Sequence, residues 1–255
     1  MRWLVTLLAL LIPQAAFAAL DCSPPAHVAA PHSVGPSDTE PARQARVVGY
    51  TLALGWAPEY CHRRHGAEDA FECNGPLAHR FVLHGLWPDA ADPKGWPEYC
   101  HAAALLPEPL LKANMCMTPS AQLLQHEWAK HGSCMAATPE AYFAKASAAF
   151  AALRFPHVGA LAHDRELTSA ALQKAFAEAN PGTPPQAFAI MANRAGWLEE
   201  VHLCLGLDMR PRACPAGAGS ADPAKLLRIE SGSARPRSSP WRDGGDRDGG
   251  GSSRD

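Results

Sequence analysis

The chain of 255 residues has little excess charge of either sign. Its 23 Lys and Arg stand against 25 Asp and Glu, a formal net charge of −2 with a sequence pI near 6.6. Proteins that capture nucleic acid over a broad surface carry a basic face or a high pI. That class is disfavoured here, and any nucleic-acid contact belongs in a local cleft. No C-x-x-C pair occurs, which weighs against the tight ligand spacing of structural zinc sites. The grouping of Cys61, His62 and His65 is what remains of a metal reading. No repeat of 20 to 50 residues is present, so solenoids and propellers fall away. The main apolar run, Trp3 to Ile12, is short for a bilayer, which takes ~20 residues. No N-x-[ST] acceptor occurs.

What is present begins with a leader. Arg2, the apolar run and Ala16-Phe17-Ala18 read as a signal peptide, residues 1–18, cleaved after Ala18. Asp21 before Cys22 fits poorly with the small residue a lipoprotein site needs. Export leads to an oxidising compartment, so Cys22, Cys61, Cys73, Cys100, Cys116, Cys134, Cys204 and Cys214 read as disulfide candidates. Spacing alone leaves every complete pairing of the eight open. The expected location is periplasmic or secreted, with no membrane anchor after processing.

Residues 19–46, rich in Pro, Ser and Ala, read as a flexible N-terminal segment. Val47 to Trp56 reads as a strand, 62–77 as a polar loop, and Phe81 to Leu86 as a second strand stopped by Pro88. Residues 89–100 read as loop. A helix is expected over 119–131, with Pro119 near its start and Gly132 past its end. Pro139 to Arg154 is an Ala-rich helix, with Tyr142, Phe143 and Phe150 available for a core. Leu167 to Asn180 is another, with Thr168 or Ser169 near its N-cap. Ala187 to Met191 and Leu198 to Leu205 are late strands. Residues 231–255 are Ser, Gly, Arg and Asp with one Trp, too polar to bury a core; they read as a disordered tail in which Arg235, Arg237 and Arg242 are solvated. Strands and helices without regular βαβ alternation argue for an α+β class, in a single domain over 47–230.

Two short stretches concentrate the chemistry: Phe81-Val82-Leu83-His84-Gly85-Leu86-Trp87-Pro88 and His126-Glu127-Trp128-Ala129-Lys130-His131-Gly132-Ser133-Cys134. A helix advances ~100° per residue. With His126 at zero, Lys130 falls near ~40°, Glu127 near ~100° and His131 near ~140°. Two imidazoles, a carboxylate and an ammonium thus share one broad face, an odd way to build a core. The zinc-protease motif H-E-x-x-H requires a second histidine where this chain has Lys130, which has no lone pair to give. In the first stretch, Gly85 permits close backbone approach beside His84, and Trp87 offers a flat apolar surface. His27, His32, His79, His157, His163 and His202 read as ordinary core or surface residues.

The two stretches, in this order, resemble the active-site segments of the ribonuclease T2 family, exported ribonucleases of low base specificity. Trp56-Ala57-Pro58-Glu59-Tyr60-Cys61 and Glu199-Glu200-Val201-His202-Leu203-Cys204 resemble two further strands of that family, so the resemblance spans residues 47–214. It implies a central antiparallel sheet flanked by helices. It also implies disulfides Cys61–Cys73, Cys100–Cys134 and Cys204–Cys214, which leaves Cys22 with Cys116. It gives His84 the removal of the ribose 2′-hydroxyl proton and His131 the protonation of the leaving 5′-oxygen. His126 would bind phosphate, and Glu127 and Lys130 would support the transition state. Trp87 would stack on a base, with Asp89 as a polar contact to it. Ser133 stands where the family has threonine, a conservative departure. The implied partner is RNA, not DNA, with no metal, no cofactor and a monomeric enzyme.

Overall fold

The computed structural model describes residues 22–231 apart from 65, 67–69, 93–94 and 217. The expected leader, His65 and the polar tail beyond residue 231 lie outside the described residues. Strand β1 (Val47–Trp56) runs directly into helix α1 (Ala57–Arg63), where Pro58 sits in the first turn and no intrahelical donor is lost. Helix α2 (Ala70–Cys73) and a 3-10 turn over Pro76–His79 lead to β2 (Phe81–Ala90). Then come α3 (Glu108–Asn114), α4 (Ala121–Lys130), α5 (Pro139–Ala152), α6 (Val158–Leu161) and α7 (Ser169–Ala179). Strands β3 (Phe188–Ala192) and β4 (Leu198–Leu205) complete one sheet of order β2-β1-β4-β3, antiparallel throughout. Bonds Cys22–Cys116, Cys61–Cys73, Cys100–Cys134 and Cys204–Cys214 staple it. The α+β, disulfide-stapled expectation and all four pairings therefore hold.

Three helices begin at hydroxyl caps: Ser120 accepts from the Leu123 N–H, Thr138 from Ala141 and Thr168 from Ala171. Helix α4 ends at Lys130, so His131 is its C-cap and stands off the regular helical path. The short helices α1, α2, α3 and α6 were not legible in the sequence, because a turn or two carries too little periodicity. Two of them enter the stretch read as loop over 62–77, α1 at residues 62–63 and α2 at 70–73.

Pro88 does not stop β2, which continues to Ala90. The reason lies in the strand's position at the sheet edge. The Tyr142 hydroxyl from α5 accepts from the Leu86 N–H and donates to the Leu86 carbonyl. Leu86 therefore turns its backbone polar groups away from β1, and Pro88, two residues on, does the same. Its missing N–H falls on the open edge, where a sheet tolerates proline.

One face of the sheet carries the core. Leu52, Leu54 and Trp56 from β1, Phe188 and Ile190 from β3, and Val201, Leu203 and Leu205 from β4 alternate inward, and Leu198 joins them across a register shift against β3. They pack with Leu124 and Trp128 of α4, Tyr142 and Phe143 of α5, and Leu172 and Phe176 of α7. Strand β2 breaks the alternation. Leu83 pairs with Leu54 but Gly85 pairs with Ala53, so His84 is an extra residue with no partner on β1. This bulge reverses the parity: Phe81 and Leu83 enter the core before it, and Leu86 after it. In a regular strand His84 and Leu86 would share a face. The bulge sends Leu86 inward and frees His84 for the opposite side.

Residues 22–46 contain no helix or strand, yet they are tied to the body at several points. Besides the Cys22 disulfide, the Val28 N–H donates to Glu108, the His32 N–H to Gln122, and Arg43 pairs with Glu98 through both backbone and carboxylate. The partners lie 55 to 94 residues along the chain, beyond the reach of a reading from local composition. No helix among the described residues is long and apolar enough to cross a membrane.

Candidate active site

On the face opposite the core, β1 presents only Thr51, Ala53 and Gly55, alternating with its buried leucines. This low floor separates larger side chains from β2 and β4. Strand β2 brings His84, Trp87 and Asp89, while α4 and its C-cap bring His126, Glu127, Lys130 and His131. The close approach of α4 to β2 depends on Gly85: a Cβ there would lie 1.8 Å from Glu127 Oε2 and 2.7 Å from Trp87 Nε1. Only glycine leaves room for that carboxylate.

Trp87 is the hub. Its Nε1–H donates to Glu127 Oε2 at 2.7 Å. Its ring lies 5.1 Å from His84, 5.4 Å from His131 and 5.2 Å from His202, centroid to centroid. His84 Nε2 is 3.5 Å from the other Glu127 oxygen. Thus the structure brings together the five α4 and β2 residues His84, Trp87, Glu127, His126 and His131, the last two with ring centroids 6.3 Å apart. Asp89 sits further along β2, accepting from the Thr51 hydroxyl at 2.9 Å, with Arg212 at 3.9 Å.

The two histidines expected to exchange protons have opposite charge states. Burial works to lower the pKa of His84, but the Glu200 hydrogen bond and the charges of Glu127, Glu200 and Glu72 outweigh it, and the imidazole is pushed up to about 9. Burial and the positive charges of His126, Lys130 and His84 push His131 down to about 2. Near neutrality His84 is therefore cationic and His131 neutral. Burial raises Glu127 to about 7 against the pull of His84 and Trp87. His126 is lowered, first by burial and then by Lys130. Among the described residues, Glu127 Oε1 and His131 Nδ1 are buried without a hydrogen-bond partner, and such groups at a cleft call for a ligand or water.

Lys130 turns away from Trp87 toward the N-terminal segment. Its ammonium lies 2.6 Å from Glu40 and 3.4 Å from Glu98, and the Tyr99 hydroxyl donates to the same Glu40 carboxylate. His126, Glu127 and His131 offer ligand atoms all within 4.8 Å of one another. They could hold a cation by geometry, although Lys130 directs its positive charge at both imidazoles.

The sequence reading missed Glu200 and His202. Glu200 accepts from His84 Nδ1 and from His202 Nε2, each at 2.6 Å. The signal was available: Glu200 and His202 are polar residues two apart on a strand otherwise rich in leucine and valine, hence on one face. Glu40, Glu98 and Tyr99 carried no local signal.

A family model described as the Ribonuclease T2 family matches residues 49–214. The chain is similar to a probable ribonuclease of Haemophilus influenzae, 34% identical over 125 residues covering 45% of this chain and 46% of that protein. A ribonuclease of Aeromonas hydrophila is 38% identical over 86 residues, covering 33% and 36%. The chain thus aligns with less than half the length of these curated relatives. Among solved structures, an RNase-related protein from Calystegia sepium superposes with a TM-score of 0.57 at 18% identity, covering 73% of this chain and 98% of that one. RNase NT in complex with 5′-AMP gives 0.53 at 22%, covering 72% and 98%. At such identities the likeness is one of fold.

Proposed function

We propose that this chain, which belongs to the ribonuclease T2 family, is an endoribonuclease that cleaves single-stranded RNA through 2′,3′-cyclic phosphates to 3′-phosphates. The observation that carries the reading is the gathering of His84 and His131 around Trp87, 5.1 and 5.4 Å from its ring, in surroundings that push one imidazole up and the other down. A bound phosphodiester needs one proton donor and one acceptor on its two sides, and this site holds both at neutral pH.

The charge states favour the reverse of the roles carried over from sequence. His131 accepts the proton of the 2′-hydroxyl, whose oxygen attacks phosphorus. The bond to the 5′-oxygen breaks, and that oxygen takes the Nε2 proton of His84. In the second step neutral His84 deprotonates water, which attacks the cyclic phosphate, and protonated His131 returns its proton to the departing 2′-oxygen. A phosphate between the rings raises both pKa values, which brings His131 into the range of a working base. His126 would bind phosphate oxygens, Lys130 would do so on leaving Glu40, and Glu127, held by Trp87, would support the transition state. Such preorganised charge is commonly a large part of catalysis.

Half-buried Trp87 would stack on a base, and such stacking is tolerant of base identity, in keeping with low base specificity. Asp89, near the outer end of β2, would bind a base edge. Four disulfides suit an oxidising compartment, and with the leader-like residues 1–18 they favour a periplasmic or secreted enzyme. The test is to incubate oxidised protein with RNA and matched DNA, each with EDTA, and to analyse product ends. Cyclic-phosphate RNA ends with intact DNA support the reading. No RNA cleavage, or cleavage abolished by EDTA, overturns it.

A further inference from the structure

We propose that Glu200 is a positioning residue for His84, and that His202 holds Glu200 in place from the far side. The inference rests on His84 acting in the cleavage described above. It starts from topology. Strands β2 and β4 are not neighbours, since β1 lies between them. Gly55 stands between Val82 and Glu200, and Ala53 between Gly85 and His202. Because β1 offers a hydrogen and a methyl group there, the bulged His84 and Glu200 meet over it.

A carboxylate only accepts hydrogen bonds. Both imidazole nitrogens 2.6 Å from Glu200 therefore carry hydrogens: His84 donates through Nδ1 and His202 through Nε2. The contact fixes one neutral tautomer of His84, with hydrogen on Nδ1 and the lone pair on Nε2. Nε2 faces Glu127 and the reacting space. When Nε2 gives up its proton, the ring already holds the tautomer required to take one back, with no flip. An orienting carboxylate behind a catalytic imidazole follows the same logic in hydrolase triads.

Other groups cannot substitute. The charged and titratable groups facing His84 are Glu200 and His202 from β4, Glu127, His126 and His131 from α4 and its cap, and Glu72 from α2. Glu127 at 3.5 Å lies on the reacting nitrogen, and Glu72 acts through charge alone. Among the described residues, Glu200 alone grips Nδ1. Nor is the pair a core ion pair. It lines a cavity of about 450 Å³ with Ser120 and Arg63, and both side chains keep solvent contact. Both Glu200 oxygens are engaged, so its rotation is blocked only while His202 donates.

The test is imidazole nitrogen NMR of His84 through a pH titration, beside kcat/KM profiles on a dinucleotide, for the oxidised full chain and three variants. Glu200→Gln keeps the size and an acceptor but loses the charge. It should lower the His84 midpoint by about one to three units, the range for an opposite charge in contact, and move the basic limb of kcat/KM with it. The kcat should fall about tenfold or more while KM changes less than about twofold. Glu200→Asp should restore the midpoint to within about one unit, and His202→Ala should give a smaller shift in the same direction. An unmoved His84 midpoint in Glu200→Gln overturns the proposal whatever the activity. Loss of activity in that variant with KM and the His84 titration unchanged would also overturn it. If the wild-type protein cleaves no RNA but the midpoint still moves, the contact stands and the cleavage reading fails.

Discussion

Glu40 Oε1 lies 2.6 Å from Lys130 Nζ. One partner comes from an N-terminal segment outside the matched family region. The other is the lysine that would bind the scissile phosphate. Because the ammonium lowers the Glu40 pKa through its hydrogen bond and charge, the pair persists into the acid range. It loosens only as pH falls through that depressed value. An incoming phosphate therefore meets a carboxylate already in possession of Lys130.

Glu40→Gln should accordingly improve RNA binding. Exposed pairs are typically worth ~0.2–1 kcal/mol, so KM should fall by a factor of about 1.4 to 5, with kcat within about twofold. The gain should shrink as salt rises and screens the repulsion. Steady-state kinetics at low and high ionic strength would decide; a raised KM would mean that Glu40 supports the lysine instead.

Gly85→Ala should be severe for a change of one methyl. The added Cβ would overlap Glu127 Oε2 and push the carboxylate off Trp87 Nε1. Overpacking of this kind typically costs ~1–3 kcal/mol, and a loss of activity larger than the loss of stability is expected. Thermal melts alongside kinetics would separate the two, and near-normal kcat would show that Glu127 can act from a displaced position.

His84→Ala and His131→Ala should each reduce kcat by ~10²–10⁴-fold, the usual worth of a positioned acid or base. Binding of an RNA fragment should survive in both. Most activity retained by either variant would remove that histidine from the reaction.

Stability should depend on pH with a definite sign. The raised pKa of His84 gives stabilisation that is complete below the ordinary histidine value of 6.5 and lost as pH rises through about 9. The lowered pKa of His131 acts oppositely: its contribution is complete above 6.5 and declines as pH falls toward about 2. The difference in melting temperature between wild type and His84→Ala should therefore narrow from pH 6.5 to 9. A constant difference across that window would show that His84 is not held cationic. The same charge states place the basic limb of kcat/KM in the free enzyme near pH 9 and the acidic limb far below neutrality.

Much was legible in the chain itself. The α4 wheel placed His126, Glu127 and Lys130 on one helix because helical geometry is local, although the structure makes His131 its C-cap, and Thr168 was legible as a helix start for the same reason. The apolar stretches Val47–Trp56 and Leu198–Leu205 were legible as strands. The cysteine pairing came from family likeness, not from spacing.

Three things were decided only by the folded chain. The bulge at His84 arises from register against β1, and nothing within Phe81–Pro88 announces an extra residue. Continuation of β2 through Pro88 requires an open edge and the Tyr142 hydroxyl, both supplied from elsewhere. The partners of the site residues, Glu200 for His84 and Glu40 for Lys130, lie 116 and 90 residues away. Local pattern sets which residue types can do chemistry, because periodicity acts over a few residues. Which of them carries charge is set by burial and by carboxylates that only tertiary contact brings within reach.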